Sequence, residues 1–452
     1  MDVIVALSAS SILLFISVQQ GYFIGYPLFA SLALLLIVLR RQGMPFSVLL
    51  KMAVLRSQKA GSVLQILLLI GMVISVWMAS GTVPALVFYG VQAIHPQFFI
   101  LSAFALTSLV SIVLGTSFGT VGTIGIALMI VANAGGVHPH WAAGAIIAGA
   151  YVGDRCSPMS SSANLIASIT QTDVYANLKN MAKTSVLPLA LSGMIYFLLS
   201  LINPAHAIQS TLTNDIQQSF DIQGWVLVPA GVILGLALVR VEVKRSMIAS
   251  LLVGGAIALV IQDYSIAEVI RFAVFGFELP DASPLQPIFV GGGVRSMVPV
   301  CVVVILSTAI AGVLSGTRVL VQLETYLSRS SSPSRRFLNT ALVGTLSAIV
   351  GCSQTIAILL TQQLAESTYR KTEQGHDQLA LDLENTVVVI APLIPWNIAG
   401  FVPAAVLMTD AGFIPFAIYL YLLPLLTLIS LIWSDPSQTS LCNSLPKKKI
   451  NS

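Results

Sequence analysis

The chain has 452 residues, 56% of them hydrophobic and 9% charged, with a mean hydropathy of +0.90. A soluble domain carries roughly a quarter charged residues, so the composition excludes a soluble globular fold, and the long apolar runs exclude the short alternating strands of a membrane barrel. The formal net charge of +4 is small and dispersed, which argues against a nucleic-acid partner and leaves the basic residues as topology markers. Each helical crossing takes about 20 apolar residues, which gives room for roughly ten to twelve spans.

In chain order, Met1-Asp2-Val3 lacks the basic start of a signal peptide, so residues 3–19 read as a retained first span. Residues 22–39 form a second, followed by Arg40, Arg41, Lys51, Arg56 and Lys59. Positive residues mark cytoplasmic loops, which puts this loop and the N-terminus inside. Residues 61–79 cross outward, 82–95 read as an interfacial connection, and 98–114 return inward. The Gly/Ser/Thr-rich run 115–125 reverses the chain, and 126–132 lead to a loop carrying His138 and His140. Those two histidines offer a pH-sensing role.

Residues 141–169 read as a broken helix that delivers Lys179 and Lys183 inside, with Asp173 as cap of the next helix. Residues 186–202 cross outward, and 203–223 contain no Lys or Arg, as suits an external loop. Residues 225–239 return to Arg240, Lys244 and Arg245, and 248–261 cross outward again. The amphipathic stretch 265–279 fits the interface, and Gly291 to Arg295 form a short break. Residues 298–314 cross inward to a basic loop with Arg318, Arg329, Arg335 and Arg336, in which 328–334 are the expected linker. A hairpin over 337–365 turns at Gly351-Cys352-Ser353-Gln354, and a polar loop covers 370–378. A second broken helix runs over 379–408, 413–433 is the last span, and Lys447, Lys448 and Lys449 hold the tail inside.

The chain thus divides into N-terminal spans (1–60), a first repeat (61–202), connecting and second-repeat spans (203–317), a cytoplasmic loop (318–336), the second hairpin and broken helix with the last span (337–433), and a cytoplasmic tail (434–452). In each half a Gly/Ser/Thr-rich turn precedes a helix broken at Ser157-Pro158 or Ala391-Pro392, with Asn164 or Asn397 a short step beyond. Charge placement gives the first hairpin external ends and the second cytoplasmic ends. The expected fold is therefore an all-α integral membrane protein, a polytopic inverted-repeat secondary transporter with two discontinuous helices and two hairpins.

Backbone that leaves the helix inside a bilayer needs protein partners or a water-filled cavity, so the two breaks are the candidate site. A small cation leaving water needs oxygen ligands. Asp154 supplies the formal charge, alone or in a salt bridge with Arg155; Ser157, Ser160, Ser161, Ser162 and Asn164 add neutral oxygens. Thr116, Ser117, Thr120 and Thr123 line the neighbouring turn, and Ser353, Gln354, Thr355, Glu384, Asn385, Thr386 and Asn397 are expected to converge from the second half. Asp154, Asn164 and Asn397 are the expected direct cation ligands. Asp154 and Glu384 are the acids nearest the breaks, where proton and metal ion can compete for one carboxylate. Trp396 reads equally as a cavity wall or an interface anchor. Cys156, Cys301, Cys352 and Cys442 have no metal spacing and read as buried apolar side chains.

The run from Gly144 to Ser160 (GAIIAGAYVGDRCSPMS) with Asn164, and the run Leu383 to Asn397 (LENTVVVIAPLIPWN), resemble the signatures of the NhaC family of sodium/proton antiporters. The similarity extends over residues 61–433. It implies an inverted-repeat transporter exchanging sodium for protons across a bacterial inner membrane, with no resident cofactor. Relatives of similar fold exchange organic acids such as malate and lactate, or carry amino acids. The chain departs from the family pattern in three places: Ser161 stands where an acid follows Ser-Pro-Leu-Ser, Ser162-Ala163-Asn164 stands for Thr-Thr-Asn, and Glu384-Asn385-Thr386 stands for Glu-Asp-Ser. Two carboxylates are thereby replaced by neutral oxygens, which raises the standing of an organic substrate whose own carboxylate completes the site. A channel is disfavoured because no filter repeat appears, and an enzyme because no nucleophile or metal motif stands beside His376 and Asp377. The expected partners are a small cation with a proton, or a small organic solute, and the lipid bilayer; monomer and oligomer both stay open.

Overall fold

The computed structural model describes residues 2–59, 61–93, 96–203, 210–239, 241–279, 289–315, 332–369 and 375–433. Among these the chain is helical, with an isolated antiparallel bridge between Phe277 and Gly291. The expected linker up to residue 331, Arg240, Arg318, Arg329, Cys442, the tail lysines and 370–374 lie outside the described residues.

The helices are α1 (Asp2–Gln19), α2 (Gly25–Arg41), α3 (Phe46–Lys59), α4 (Gly61–Ala79), α5 (Thr82–Ala93), α6 (Phe99–Leu114) and α7 (Ser117–Thr120). A π-turn over Val121–Gly125 joins α7 to α8 (Ile126–Ala134). Then come α9 (Pro139–Cys156), α10 (Ser161–Thr170), α11 (Val174–Ile202), α12 (Ser210–Ser219), α13 (Val228–Leu238), α14 (Val243–Val260), α15 (Ile266–Phe275) and α16 (Gly293–Ser315). The last set is α17 (Pro333–Gly351), α18 (Gln354–Tyr369), α19 (Gly375–Asn385), α20 (Val387–Ile390), α21 (Ile398–Val406) and α22 (Ile418–Trp433).

Among the described residues, three helical runs are long and apolar enough to cross a membrane alone: Ser117–Ala134, Val174–Ile202 and Gly293–Leu314. Two bent pairs raise the number to five: Val63–Ala79 with Thr82–Tyr89 at 72°, and Gly375–Leu393 with Ile398–Val406 at 53°. Further apolar helices of 10–17 residues include Val5–Val18, Phe99–Leu114 and Ile418–Trp433. The expected interfacial connection at 82–95 is instead the buried helix α5, with Val83, Ala85 and Val87 each at most 1% exposed. Gly81 at φ +75° makes the bend, and the Thr82 hydroxyl donates to the Val226 carbonyl at 2.7 Å, which pins the corner. The polar loop expected to run to 378 gives way to helix from Gly375.

The helices pack as two groups. One is built around α16, which lies against α2, α3 and α4, with α14 and α15 added on α4 and α13 on α14. The other is built around α9, whose longest contact is with α6, and joins α10, α11, α22 and the helices from α17 to α21. Small residues on α9 make that contact possible. A Cβ at Gly153 would overlap the Ser111 backbone, and the Ser111 hydroxyl donates to the Ala150 carbonyl.

The interruption after α9 follows from local chemistry. A residue before proline is pushed to extended backbone, and Ser157, ahead of Pro158, has φ −101° and ψ 138°. Ser160 then caps α10, accepting from the Ala163 amide at 3.2 Å, and Asp173 caps α11, accepting from Ala176 at 2.9 Å. In the second half the expected break at Ala391-Pro392 falls three residues later. Pro392 sits in a short 3-10 turn, Ala391–Leu393, near a helix start where its missing amide costs nothing. Pro395 is the proline that forces extended backbone, at Ile394 (φ −95°, ψ 116°).

Candidate functional site

A cavity of about 360 Å³ lies where the two groups meet. From the α9 group it is lined by Thr116, Ser117 and Phe118 beside α7, by Asp154, and by Ser161 at the start of α10. The second half contributes Ser353, Gln354, Thr355 and Ile356 at the start of α18, and Ile398 and Ala399 at the start of α21. Val63 of α4 and Val304 and Thr308 of α16 form the opposite wall. Nothing in the pattern of α16 singled out Thr308; only packing places it there. Asp154 is the charged residue in this lining.

Asp154 is 5% exposed and ties the halves together. Its Oδ1 accepts from the Ser117 amide at 3.3 Å, and its Oδ2 accepts from the Gln354 side chain at 3.2 Å. The Ser162 hydroxyl donates to the Asp154 carbonyl at 2.7 Å, and the Ser160 hydroxyl donates to that same oxygen. These bonds close the unwound segment over the end of α9, so the carboxylate is held by neutral donors on both sides.

Of the two arrangements open to Asp154, alone or in a salt bridge with Arg155, the structure shows the first. Successive side chains on a helix point about 100° apart, and Arg155 is fully buried on another face of α9. Its guanidinium donates to the Ser185 hydroxyl, to Thr184 at 2.9 Å and to the Asn385 side-chain oxygen, and lies 3.4 Å from the Tyr419 hydroxyl. Arg155 therefore fastens α9 to α11 and α19.

The other expected residues fall into three places. Thr116, Ser161, Ser353 and Thr355 line the cavity with Asp154. Thr120, Ser157, Ser160, Asn164 and Asn397 serve the backbone of the turns. Thr120 bonds the Thr116 carbonyl at 2.8 Å, and Ser157 accepts from the Met159 amide at 3.2 Å. Asn164 is exposed and donates to the carbonyls of Pro158 at 3.0 Å and Ser160 at 2.6 Å. Asn397 is buried, caps α21 through the Ala399 amide at 3.0 Å, and donates to the Ala348 carbonyl at 2.8 Å. Asp154, Asn164 and Asn397, read together as cation ligands, are thus separated: Asp154 alone of the three lines the cavity. Trp396 is buried and donates to the Ile349 carbonyl at 3.0 Å, wedged against the hairpin turn. Glu384 and Asn385 are buried on α19, beside Arg155 and away from the cavity wall.

Each unwound segment also clasps the hairpin turn of its own half. Gly115, at φ +68°, packs directly on Met159 and Ser160. In the other half the Ile398 amide donates to the Cys352 carbonyl at 3.0 Å. At the opposite end of α9 from Asp154, half-buried His140 meets exposed Asp410 at 2.8 Å, a pair that joins the start of α9 to the loop after α21.

The Na+/H+ antiporter family model matches residues 149–434. The malate-2H(+)/Na(+)-lactate antiporter of Bacillus subtilis is 30% identical over 358 residues, covering 78% of this chain and 76% of that protein. The Na(+)/H(+) antiporter NhaC of Alkalihalophilus pseudofirmus is 30% identical over 373 residues, covering 80% of each. The arginine/ornithine antiporter ArcD of Halobacterium salinarum is 25% identical over 377 residues, covering 80% of this chain and 77% of that protein. The matched region holds both proline-interrupted segments, the hairpin between them and Asp154, and the chain is an integral membrane protein that belongs to the Na+/H+ antiporter family.

Proposed function

We propose that this protein exchanges sodium ions for protons across the bacterial inner membrane by alternating access, with both termini in the cytoplasm, and that the cavity at Asp154 is its cation site. The observation that carries the reading is that one carboxylate, held by Ser117 from the first hairpin turn and Gln354 from the second, faces a cavity shared by both halves. Sodium takes carboxylate, hydroxyl and carbonyl oxygens, and Asp154, Thr116, Ser161, Ser353 and Thr355 offer them. The parallel order of turn, X-Pro interruption and capped helix in the two halves supports an inverted repeat, the build of many such exchangers. The boundary between the α16 group and the α9 group, where the cavity lies, is the surface along which the two sides would open in turn. In everted vesicles carrying the protein, sodium or lithium is expected to collapse a preset pH gradient. Asp154→Asn is expected to abolish that response, and an undiminished response in this variant overturns the assignment.

A second reading, exchange of a small organic acid, is favoured by one feature of the same cavity. The helix ends that meet it, at Ser117, Ser161, Gln354 and Ile398, are N-terminal ends, whose amides and dipoles favour negative charge. A substrate carboxylate would sit there beside the cation held by Asp154. A cation series and a carboxylate series run on the same vesicles separate the readings: a gradient collapse that needs malate, lactate or an amino acid as well as sodium selects the second.

A further inference from the structure

The cavity accounts for Asp154 and leaves Glu384 unexplained. Glu384 is 1% exposed, and both of its carboxylate oxygens are buried without a hydrogen-bond partner. Beside it the Arg155 Nε and the Asn385 Nδ2 are also buried and unpaired. Most buried polar groups in a folded protein are bonded, and orphans gathered where α9 meets α19 mark a place built for something other than packing.

The charged groups whose fields reach Glu384 are Arg155 and Asp154, both on α9. Among the described residues no ion pair joins Arg155 to it. The other acid of α19, Asp382, is engaged elsewhere, by Tyr369 of α18 at 2.6 Å and Gln378 at 2.7 Å. From α11, Thr184 and Ser185 are neutral and bond Arg155, as does Tyr419 of α22.

We propose that Glu384 is a proton-binding group separate from the cation cavity, carrying the counter-transported proton while Asp154 takes the cation. This rests on the sodium/proton reading above. In the proton-loaded state Glu384 is a neutral acid and Asp154 a bare carboxylate. When sodium binds Asp154, the O–H bond of Glu384 breaks, its electron pair stays on the carboxylate oxygen, and the proton leaves to water on that side. The two acids with their bound ions carry one net negative charge in both states, and the Arg155 guanidinium offsets it in both. The coupling is electrostatic. Bare like charges repel across the buried gap, so an empty Asp154 favours the proton on Glu384, and sodium at Asp154 favours its release. By linkage the proton on Glu384 disfavours sodium at Asp154 to the same extent. Arg155, through its bond to Asn385, fixes the distance between the two acids.

The test uses full-length protein in proteoliposomes with two assays side by side: radiolabelled sodium/sodium exchange, which moves no net proton, and sodium-driven proton movement. Glu384→Gln, a fixed mimic of the protonated acid, is expected to keep sodium/sodium exchange at saturating sodium, with a raised half-saturation concentration, and to lose sodium-driven proton movement, whereas Asp154→Asn loses both. Glu384→Gln that keeps proton coupling, or that loses sodium/sodium exchange even at saturating sodium, overturns the assignment. Should Glu384→Gln fail to assemble in the membrane, Glu384→Asp decides. It keeps a titratable group and is expected to stay coupled with a displaced pH midpoint, and an unmoved midpoint overturns the assignment. A wild-type protein that exchanges no sodium overturns the sodium/proton reading and this inference with it, whereas a sodium-competent wild type with a fully coupled Glu384→Gln overturns this inference alone.

Discussion

At the scale of single residues, two neighbours on α9 carry opposite charges and do different work because the helix turns them apart. Asp154 faces the cavity, and Arg155 faces α11 and α19, where its donors reach Ser185, Thr184 and Asn385. A buried guanidinium needs bonded donors, and both Nη atoms of Arg155 have them, so the side chain that could have been a counter-ion to Asp154 is a fastener between helices. Gly153, just before them, is fixed by contact alone. A methyl there meets the Ser111 backbone, which cannot move away as a flexible side chain can. Gly153→Ala is expected to destabilise the protein by about 1–3 kcal/mol, the usual cost of overpacking, read as a lower midpoint of thermal unfolding in detergent. An unchanged midpoint would show that α6 and α9 can separate at no cost.

Elements explain why the two interruptions hold their shape. In each, a residue before proline leaves the helix, and a polar side chain caps the helix that resumes: Ser160 for α10 and Asn397 for α21. The caps differ in reach. Ser160 returns to the Asp154 carbonyl within its own segment, whereas Asn397 also donates to Ala348 on α17. Losing an N-cap costs about 1 kcal/mol, and leaving the Ala348 carbonyl unpaired in a buried place adds about 1–3 kcal/mol. Asn397→Ala is therefore expected to lower the unfolding midpoint, with Asn397→Ser, which keeps the cap, falling between it and the wild type. If Asn397 instead ligates the cation directly, sodium would raise the wild-type midpoint and leave that of Asn397→Ser unmoved.

For the molecule as a whole, the decisive feature is that the cavity has one wall on α4 and α16 and the rest on the α9 group. A site at the boundary of two packed groups opens to one side or the other when they shift relative to each other. In a background free of the native cysteines, Ser353→Cys is expected to react with a water-soluble maleimide, and sodium is expected to slow the reaction by occupying the cavity. Adding Asp154→Asn should remove the sodium protection and leave the reactivity. Protection that survives Asp154→Asn would mean that the ion binds elsewhere.

Much of this was legible in the sequence because the rules involved are local. Hydropathy over long runs gave the membrane class, proline and serine spacing gave the interruption after α9, and the runs around Asp154 and Asn397 carried the family likeness before any coordinates. The sequence points to a second interruption three residues too early because Pro392 and Pro395 look alike in it; a proline at the start of a short turn is tolerated where one that follows Ile394 is not. What only the tertiary structure decided was partnership. The place of Thr308 on a mostly apolar helix, the Gln354 bond to Asp154 across 200 positions of chain, and the turn of Arg155 toward Asn385 all depend on which helices touch. Helical propensity and hydropathy are properties of neighbours in sequence, whereas the direction a buried polar side chain takes is set by the need of each polar atom for a partner, and those partners come from the other half of the fold.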